Sequence, residues 1–364
     1  MKEHIFQLLL SVIALCLLVP DAMGQSVVVG TCRSGLPTYP TISQAVTAVT
    51  PYSTVLVCPG NYPEQVTITQ PLTLRGLRSR NAANPTITVP AAGLRKAVAS
   101  DATAAYYQVL VQDTGFGAVN IYNMSVDGGN RGQQLDAGFV GVAYVNSSGR
   151  LTHSAIYNQT GNGIGFGANF VCTTASPVTV AVIGNSIHDF DQAGLSAGGN
   201  LRAVFRSNVL VASSSFTGAA PNGIVFYTRG IVSDNLVVSH PQPPGISAET
   251  GIAVQSNVVV TYNTIEAFTI GIWALGDSNK VLSNKLLQVN QGIVVNGSNN
   301  DMEYNNMTGL PNVGVGISLY CASGNIVIHN VVNDSSWGIF QPHSGDKISP
   351  NEFFNVANIL SPPC

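Results

Sequence analysis

From the middle of the chain onward, apolar and polar residues recur as one short phrase. An Asn precedes an apolar pair, and several residues later a Gly is joined to Ile or Leu. The Asn members are Asn185, Asn208, Asn235, Asn263, Asn284, Asn305, Asn330 and Asn351, spaced by 23, 27, 28, 21, 21, 25 and 21 residues. The Gly members begin at Gly163-Ile164 and Gly194-Leu195 and run to Gly316-Ile317 and Gly338-Ile339. Each phrase alternates and is rich in β-branched residues, as in Val258-Val259-Val260 and Ile326-Val327-Ile328, with no helical period. A repeat of this length is too long for a hairpin array and lacks the Leu ladder of a leucine-rich repeat. It predicts an all-β, right-handed parallel β-helix solenoid of about ten coils. Equivalent residues of successive coils should stack about 4.8 Å apart. Recurrent Asn then builds a hydrogen-bonded amide ladder at one turn, and Gly is expected to supply backbone freedom at another.

An open solenoid end exposes both core and strand edge, so a cap is required. Thr41 is the expected N-cap of a short helix, followed by Ile42, Ala45, Val46 and Val49 at helical spacing, just ahead of the strand Val55-Leu56-Val57. Residues Ala83 to Tyr107 break the pattern and are expected to form a lateral loop. The far end, Pro350 to Cys364, offers no capping helix.

Composition adds a compartment. Lys2, the apolar run Leu8 to Leu18 and Ala22-Met23-Gly24 read as a signal peptide over residues 1–24, too short to span a membrane. Residues 25–364 then form a single domain, because no linker or charge run divides them. The expected location is secreted or extracellular, or periplasmic in a Gram-negative cell. Charged residues make up only 9% of the chain, against a norm of about 25%. The net charge is −3 and the basic residues are scattered singly in sequence, so nucleic acid is not the expected partner. Cys32 and Cys58 bracket the first ordered segment; a bond there closes a 26-residue loop and is worth about 3 kcal/mol. Cys321 with Cys364 is the second expected pair, leaving Cys172 as a small buried residue.

Tyr39-Pro40-Thr41-Ile42-Ser43-Gln44-Ala45-Val46, then Val55-Leu56-Val57-Cys58-Pro59-Gly60-Asn61-Tyr62-Pro63-Glu64 and Leu72-Thr73-Leu74-Arg75-Gly76, resembles the opening coils of the pectin-lyase-like superfamily. The resemblance is nearest to bacterial right-handed β-helix repeat proteins without assigned chemistry. It is looser to pectin methylesterases and to periplasmic β-helix proteins of copper-site maturation. It implies polysaccharide lyases, hydrolases, esterases, epimerases or non-catalytic adhesins, and fold does not choose among them. Gly60-Asn61-Tyr62-Pro63-Glu64 looks like the esterase Gly-x-Tyr-x-Glu, where Glu64 belongs to the scaffold. Gln112-Asp113-Thr114 echoes the esterase Gln-Asp-Thr but sits too early, and that family's other motifs are missing. The polygalacturonase motifs are missing too. Trp337 to His343 looks faintly like the epimerase Tyr-Gly-x-Asp-Pro-His-Glu, with Gln341 and Ser344 where acids are needed.

Register supplies a candidate site. Alignment on Gly163 and Gly194 lays Ile156-Tyr157-Asn158 over Ile187-His188-Asp189, with Val126-Asp127 above and Glu266 two coils further down. Asp127, Tyr157, His188, Asp189 and Asp191 should then gather on one side, with Arg131, Arg206 and Arg229 near. A carboxylate, a Tyr and a His in one groove are what a lyase or hydrolase uses to move a proton, with Arg neutralising a substrate carboxylate. The competing reading of His188-Asp189-Phe190-Asp191 is a solvated turn between strands, where Asp is favoured. The leading expectation is a secreted β-helix that binds an extended polysaccharide or cell-surface glycan, uronic polymers among them, and that, if it is an enzyme, processes it as a lyase or glycoside hydrolase would. The alternative is a non-catalytic surface, adhesion or structural rod. A metal-maturation role is disfavoured because no Met/His/Cys cluster is present; no cofactor is expected, with Ca²⁺ left open, and no oligomeric state is implied.

Overall fold

The computed structural model describes residues 24–78, 84–161, 163–214, 221–240, 249–309 and 314–364. The expected signal peptide, residues 1–24, lies outside them except for Gly24. The chain winds as a parallel β-helix with three faces. The first, led by the Asn residues, includes Ser125–Asp127, Ala155–Gln159, Ser186–Phe190, Val209–Val211 and Leu236–Val238, each pairing in parallel with the next. The Gly-led face includes Thr250–Val254, Ile270–Ala274, Gln291–Val295 and Val315–Ser318. A return face, with Val258–Thr261, Lys280–Leu282, Asp301–Glu303 and Ile326–Ile328, closes each coil. In the upper coils single long strands such as Phe139–Thr152 and Ala193–Arg206 bend from the Gly-led face into the return face.

Alternation puts one residue set inward, and stacking brings like side chains together. Ile224, Ile252, Ile272, Ile293, Ile317 and Ile339 form one interior column. Tyr144, Phe170, Phe205 and Phe226 form an aromatic one, with ring centroids 5.1 to 5.6 Å apart. Peptide groups of each coil bond to the coils above and below, as Thr264 N does to the Asn235 carbonyl and Lys285 N to that of Asn263.

All eight expected Asn residues form the ladder. The first seven each donate their backbone N–H and side-chain Nδ2 to Oδ1 of the next, as from Asn235 to Asn263 at 3.0 and 2.9 Å, and each Nδ2 also reaches a carbonyl on the coil above. Seven of the eight are almost fully buried, so the ladder replaces water inside the turn. A second ladder, unanticipated, stands at another corner: Val258 donates to Asn279, Asn279 to Asn300, Asn300 to Asn325 and Asn325 to Asp346.

The glycine column corrects the expectation of backbone freedom. Gly194, Gly223, Gly251, Gly271, Gly292, Gly316 and Gly338 have no left-handed φ. They are glycine because there is no room: a Cβ on Gly251 would lie 2.4 Å from Ile265 Cγ2 and 2.7 Å from the Gly271 carbonyl oxygen. The partner of Gly194 on the coil above is moreover Gly167, not Gly163, since Ala168 pairs with Leu195.

The N-terminal cap is the helix Ile42–Ala48, with Thr41 accepting from Gln44 N and Ile42, Ala45 and Val46 buried. Glu64 is indeed scaffold: its carboxylate accepts from the Ile42 and Ser43 amides, both at 2.8 Å, anchoring the helix start. The expected lateral loop is shorter than Ala83 to Tyr107. Thr86–Thr88 stays in register with Asn61–Pro63, and Tyr106 and Tyr107 belong to the long strand Ala104–Tyr122. The excursion between them returns as an antiparallel pair, Ala97–Val98 against Ala104 and Ala105, and covers a small outer cluster around Leu110, Val140 and Ala143. Disulfides join Cys32 to Cys58 and Cys321 to Cys364, and Cys172 is free and buried. The last strand, Glu352–Leu360, leaves Phe354, Ile359 and Leu360 exposed.

Two substitutions test this account. Asn263→Ala strands the Asn235 donors and the Val232 carbonyl, and should cost about 3 kcal/mol in urea unfolding; Asn358→Ala, with one exposed bond to Ser336, should cost under about 0.5 kcal/mol. Gly251→Ala should destabilise by about 1–3 kcal/mol through overpacking, whereas a residue chosen for flexibility at ordinary φ would gain stability from the same change.

Candidate functional site

Strand register brings three of the expected side chains into one outward column. Val126, Ile156 and Ile187 point inward, and the following residues, Asp127, Tyr157 and His188, occupy equivalent places on consecutive coils. The Tyr157 and His188 rings lie face to face, with centroids 5.1 Å apart and planes 4° from parallel. At the next position the strand bends through left-handed backbone, at Asn158 with φ 66° and at Asp189 with φ 56°. Asn and Asp tolerate that conformation best among side-chain-bearing residues. The bend turns Asp189 back on its neighbour, and its Oδ2 lies 2.6 Å from His188 Nδ1. On the coil above Tyr157, Asp127 Oδ1 accepts from Gly129 N and from Asn158 Nδ2, both at 2.8 Å. Burial, reinforced by the Asp127 charge, raises the Tyr157 phenol above its ordinary value. The column thus holds a protonated phenol, an imidazole oriented by a carboxylate, and a second carboxylate, all partly open to solvent.

Other expected members fall elsewhere. Asp191 is buried, and its Oδ2 accepts from Gly161 N at 2.6 Å and Gly163 N at 3.1 Å. That carboxylate clasps the turn of the coil above and does not face the column. Glu266 does share the column, but it lies three coils below His188, after Val211 and Val238, where spacing alone predicts two. Arg206 pairs with Asp234 at 3.2 Å on the return face, where Arg229 also stands. Arg131 alone of the three arginines lies on the turn that follows Asp127, exposed.

Two further clusters of titratable groups escape a reading of the sequence. Glu249 is almost wholly buried; Oε2 accepts from the Ser239 hydroxyl at 2.9 Å and Oε1 has no partner among the described residues. Its position before Thr250 carries no motif. Near the other end of the solenoid, Glu303 is raised chiefly by its hydrogen bond with Asp301, and Tyr304 stacks on His329 at 4.9 Å. Register arithmetic of the kind that aligns Tyr157 with His188 is able to find this pair, since Tyr304 and His329 both precede ladder asparagines. Among the described residues no group of three His, Cys, Asp or Glu side chains could hold a metal ion. No helix among them is long and apolar enough to cross a membrane.

A family description, the right-handed β-helix region, matches residues 206–353. No curated protein matches the chain in sequence. Among solved structures, a GH136 lacto-N-biosidase from Eubacterium ramulus is similar with a TM-score of 0.62 at 15% identity, over 91% of this chain and 68% of that one. DFA-IIIase from Arthrobacter chlorophenolicus A6, in complex with GF2, gives 0.56 at 13% identity over 92% and 94%. A double mutant of a periplasmic alginate epimerase gives 0.50 at 14% identity over 84% and 77%. At such identities the likeness is one of fold, a right-handed parallel β-helix.

Glu249 gives this region a pH signature. Burial pushes its carboxyl up to about 7, against the smaller opposing effect of the Ser239 bond. The folded chain therefore keeps a proton that the unfolded chain has released, and stability should fall as pH rises from 4.5 to about 7. Glu249→Gln should remove that slope from the melting temperature; an unchanged slope in the variant would assign it to other groups.

Proposed function

We propose that this chain is a secreted glycan-processing β-helix that works by proton transfer at the Asp127, Tyr157, His188, Asp189 column. The observation that carries the reading is the His188–Asp189 contact stacked on Tyr157. A carboxylate on Nδ1 orients the imidazole and leaves Nε2 for a substrate proton, while the neighbouring phenol can donate one. Asp127, a coil beyond Tyr157, supplies the second carboxylate of a hydrolase, or the charge that a lyase site balances with Arg131. A solenoid side is long and straight, which suits an extended polymer. Two disulfides suit an oxidising compartment. The fold-level likeness to a lacto-N-biosidase and a DFA-IIIase is consistent with a carbohydrate but does not choose the reaction.

A non-catalytic rod draws support from one feature: Asp127 is already occupied by Gly129 and Asn158, as a purely structural turn would have it. Turnover separates the readings. The purified chain, incubated with polygalacturonate, methylated pectin, alginate and neutral glucans, should release unsaturated uronide or reducing ends from at least one polymer. His188→Ala should lower kcat by about 100-fold or more, and Asp189→Asn by less. Product formation that survives His188→Ala would exclude this column, and binding without product would leave the rod.

A further inference from the structure

Basic residues that are isolated in sequence meet on the return face. Arg75, Arg150, Arg202, Arg206, Arg229 and Lys280 all lie on its strands or at its entry, and all are exposed. Two of them coincide: Arg202 pairs in register with Arg229 on the next coil, below Thr179. Like charges directly opposite on neighbouring strands repel, and Cα atoms there are only about 5 Å apart. Arg206 has a carboxylate partner in Asp234, whereas neither Arg202 nor Arg229 has a carboxylate partner or a side-chain hydrogen bond among the described residues.

Arg202 and Arg229 border a cavity of about 430 Å³ whose other polar walls include Gln255, Ser256 and Asn257. The Gln255 and Asn257 side chains are likewise without hydrogen-bond partners among the described residues. A second hollow of about 320 Å³ continues past the same arginines over Val204, Gly230 and Ile231, and Ile231 is 41% exposed. Paired cationic forks, open amides and an apolar floor match a sugar ring that bears a carboxylate. The amides take hydroxyl groups, the aliphatic floor takes the ring face, and the guanidinium planes take the carboxylate in bidentate fashion.

We propose that Arg202 and Arg229 form a binding subsite for the carboxylate of an acidic polysaccharide, on a face distinct from the Tyr157 and His188 column. The bound anion relieves the repulsion between the stacked arginines, and the remaining bases guide the polymer along the same side of the solenoid. A net charge of −3 keeps this attraction local to the stripe.

Affinity electrophoresis through gels containing polygalacturonate, fully methyl-esterified pectin or dextran sulfate tests the assignment. The wild-type chain should be retarded by polygalacturonate, less by dextran sulfate and not by the ester. Arg202→Ala/Arg229→Ala should weaken that retention at least about tenfold. Arg202→Lys/Arg229→Lys, which keeps the charge but loses the forks, should fall between, and it decides the matter if the alanine pair fails to fold by circular dichroism. Tyr157→Phe/His188→Ala should lose turnover while the arginine-dependent part of the retention persists, so loss of turnover in the column and loss of binding at the arginines are separately visible. Equal retention by the ester, stronger retention by dextran sulfate, no retention by polygalacturonate, or binding indifferent to the arginine substitutions would overturn the proposal.

Discussion

Everything in this molecule depends on one coil bonding to the next through the peptide backbone and through buried asparagine amides. A primary amide has both donors and acceptors, so a column of them can satisfy itself indefinitely along one axis, with each Nδ2 also capturing a carbonyl that the turn would leave bare. No single coil can close such a network alone. The ladder therefore enforces register: slipping one coil by one residue would leave several buried polar groups unpaired and turn the inward residues out. The glycine column tightens the same constraint from another side, because only a bare Cα admits the neighbouring Ile, Leu or Val side chain and the next glycine carbonyl.

Register in turn creates chemistry from residues that the sequence keeps apart. Tyr157 and His188 are 31 positions apart, yet become stacked neighbours because both follow an inward Ile at the same place in the coil. The same operation assembles Arg202 with Arg229 and Tyr304 with His329. A solenoid side is thus a set of parallel columns, and neighbouring columns can take different parts of a polymer. Left-handed bends at Asn158 and Asp189 add a further device, since they redirect a polar side chain from the turn back along the strand.

Much of this architecture is legible in the chain itself. The asparagine spacing suffices for the ladder, Thr41 and its apolar followers for the capping helix, and the Ile156/Ile187 correspondence for the Tyr157–His188 contact. The departures share a physical cause. Extra residues in turns shift the count, so Gly167 takes the place that the repeated phrase assigns to Gly163, and Glu266 lies a coil further away than counting implies. Asp191 is close to His188 in sequence, but its direction is set by the demand for an acceptor beneath the amides of Gly161 and Gly163. The second ladder, Asn279, Asn300 and Asn325, has spacings like those of the first and is masked by it, since each coil then carries two asparagine phrases. Basic residues look scattered along the chain because sequence distance says nothing about columns.

The most direct measurement is a crystal structure of the chain with an oligogalacturonate bound. The account predicts a sugar within hydrogen-bonding reach of His188 Nε2 and the Tyr157 hydroxyl, and a uronate carboxylate between the forks of Arg202 and Arg229. A sugar seated on the Gly-led face, touching neither column, would contradict it.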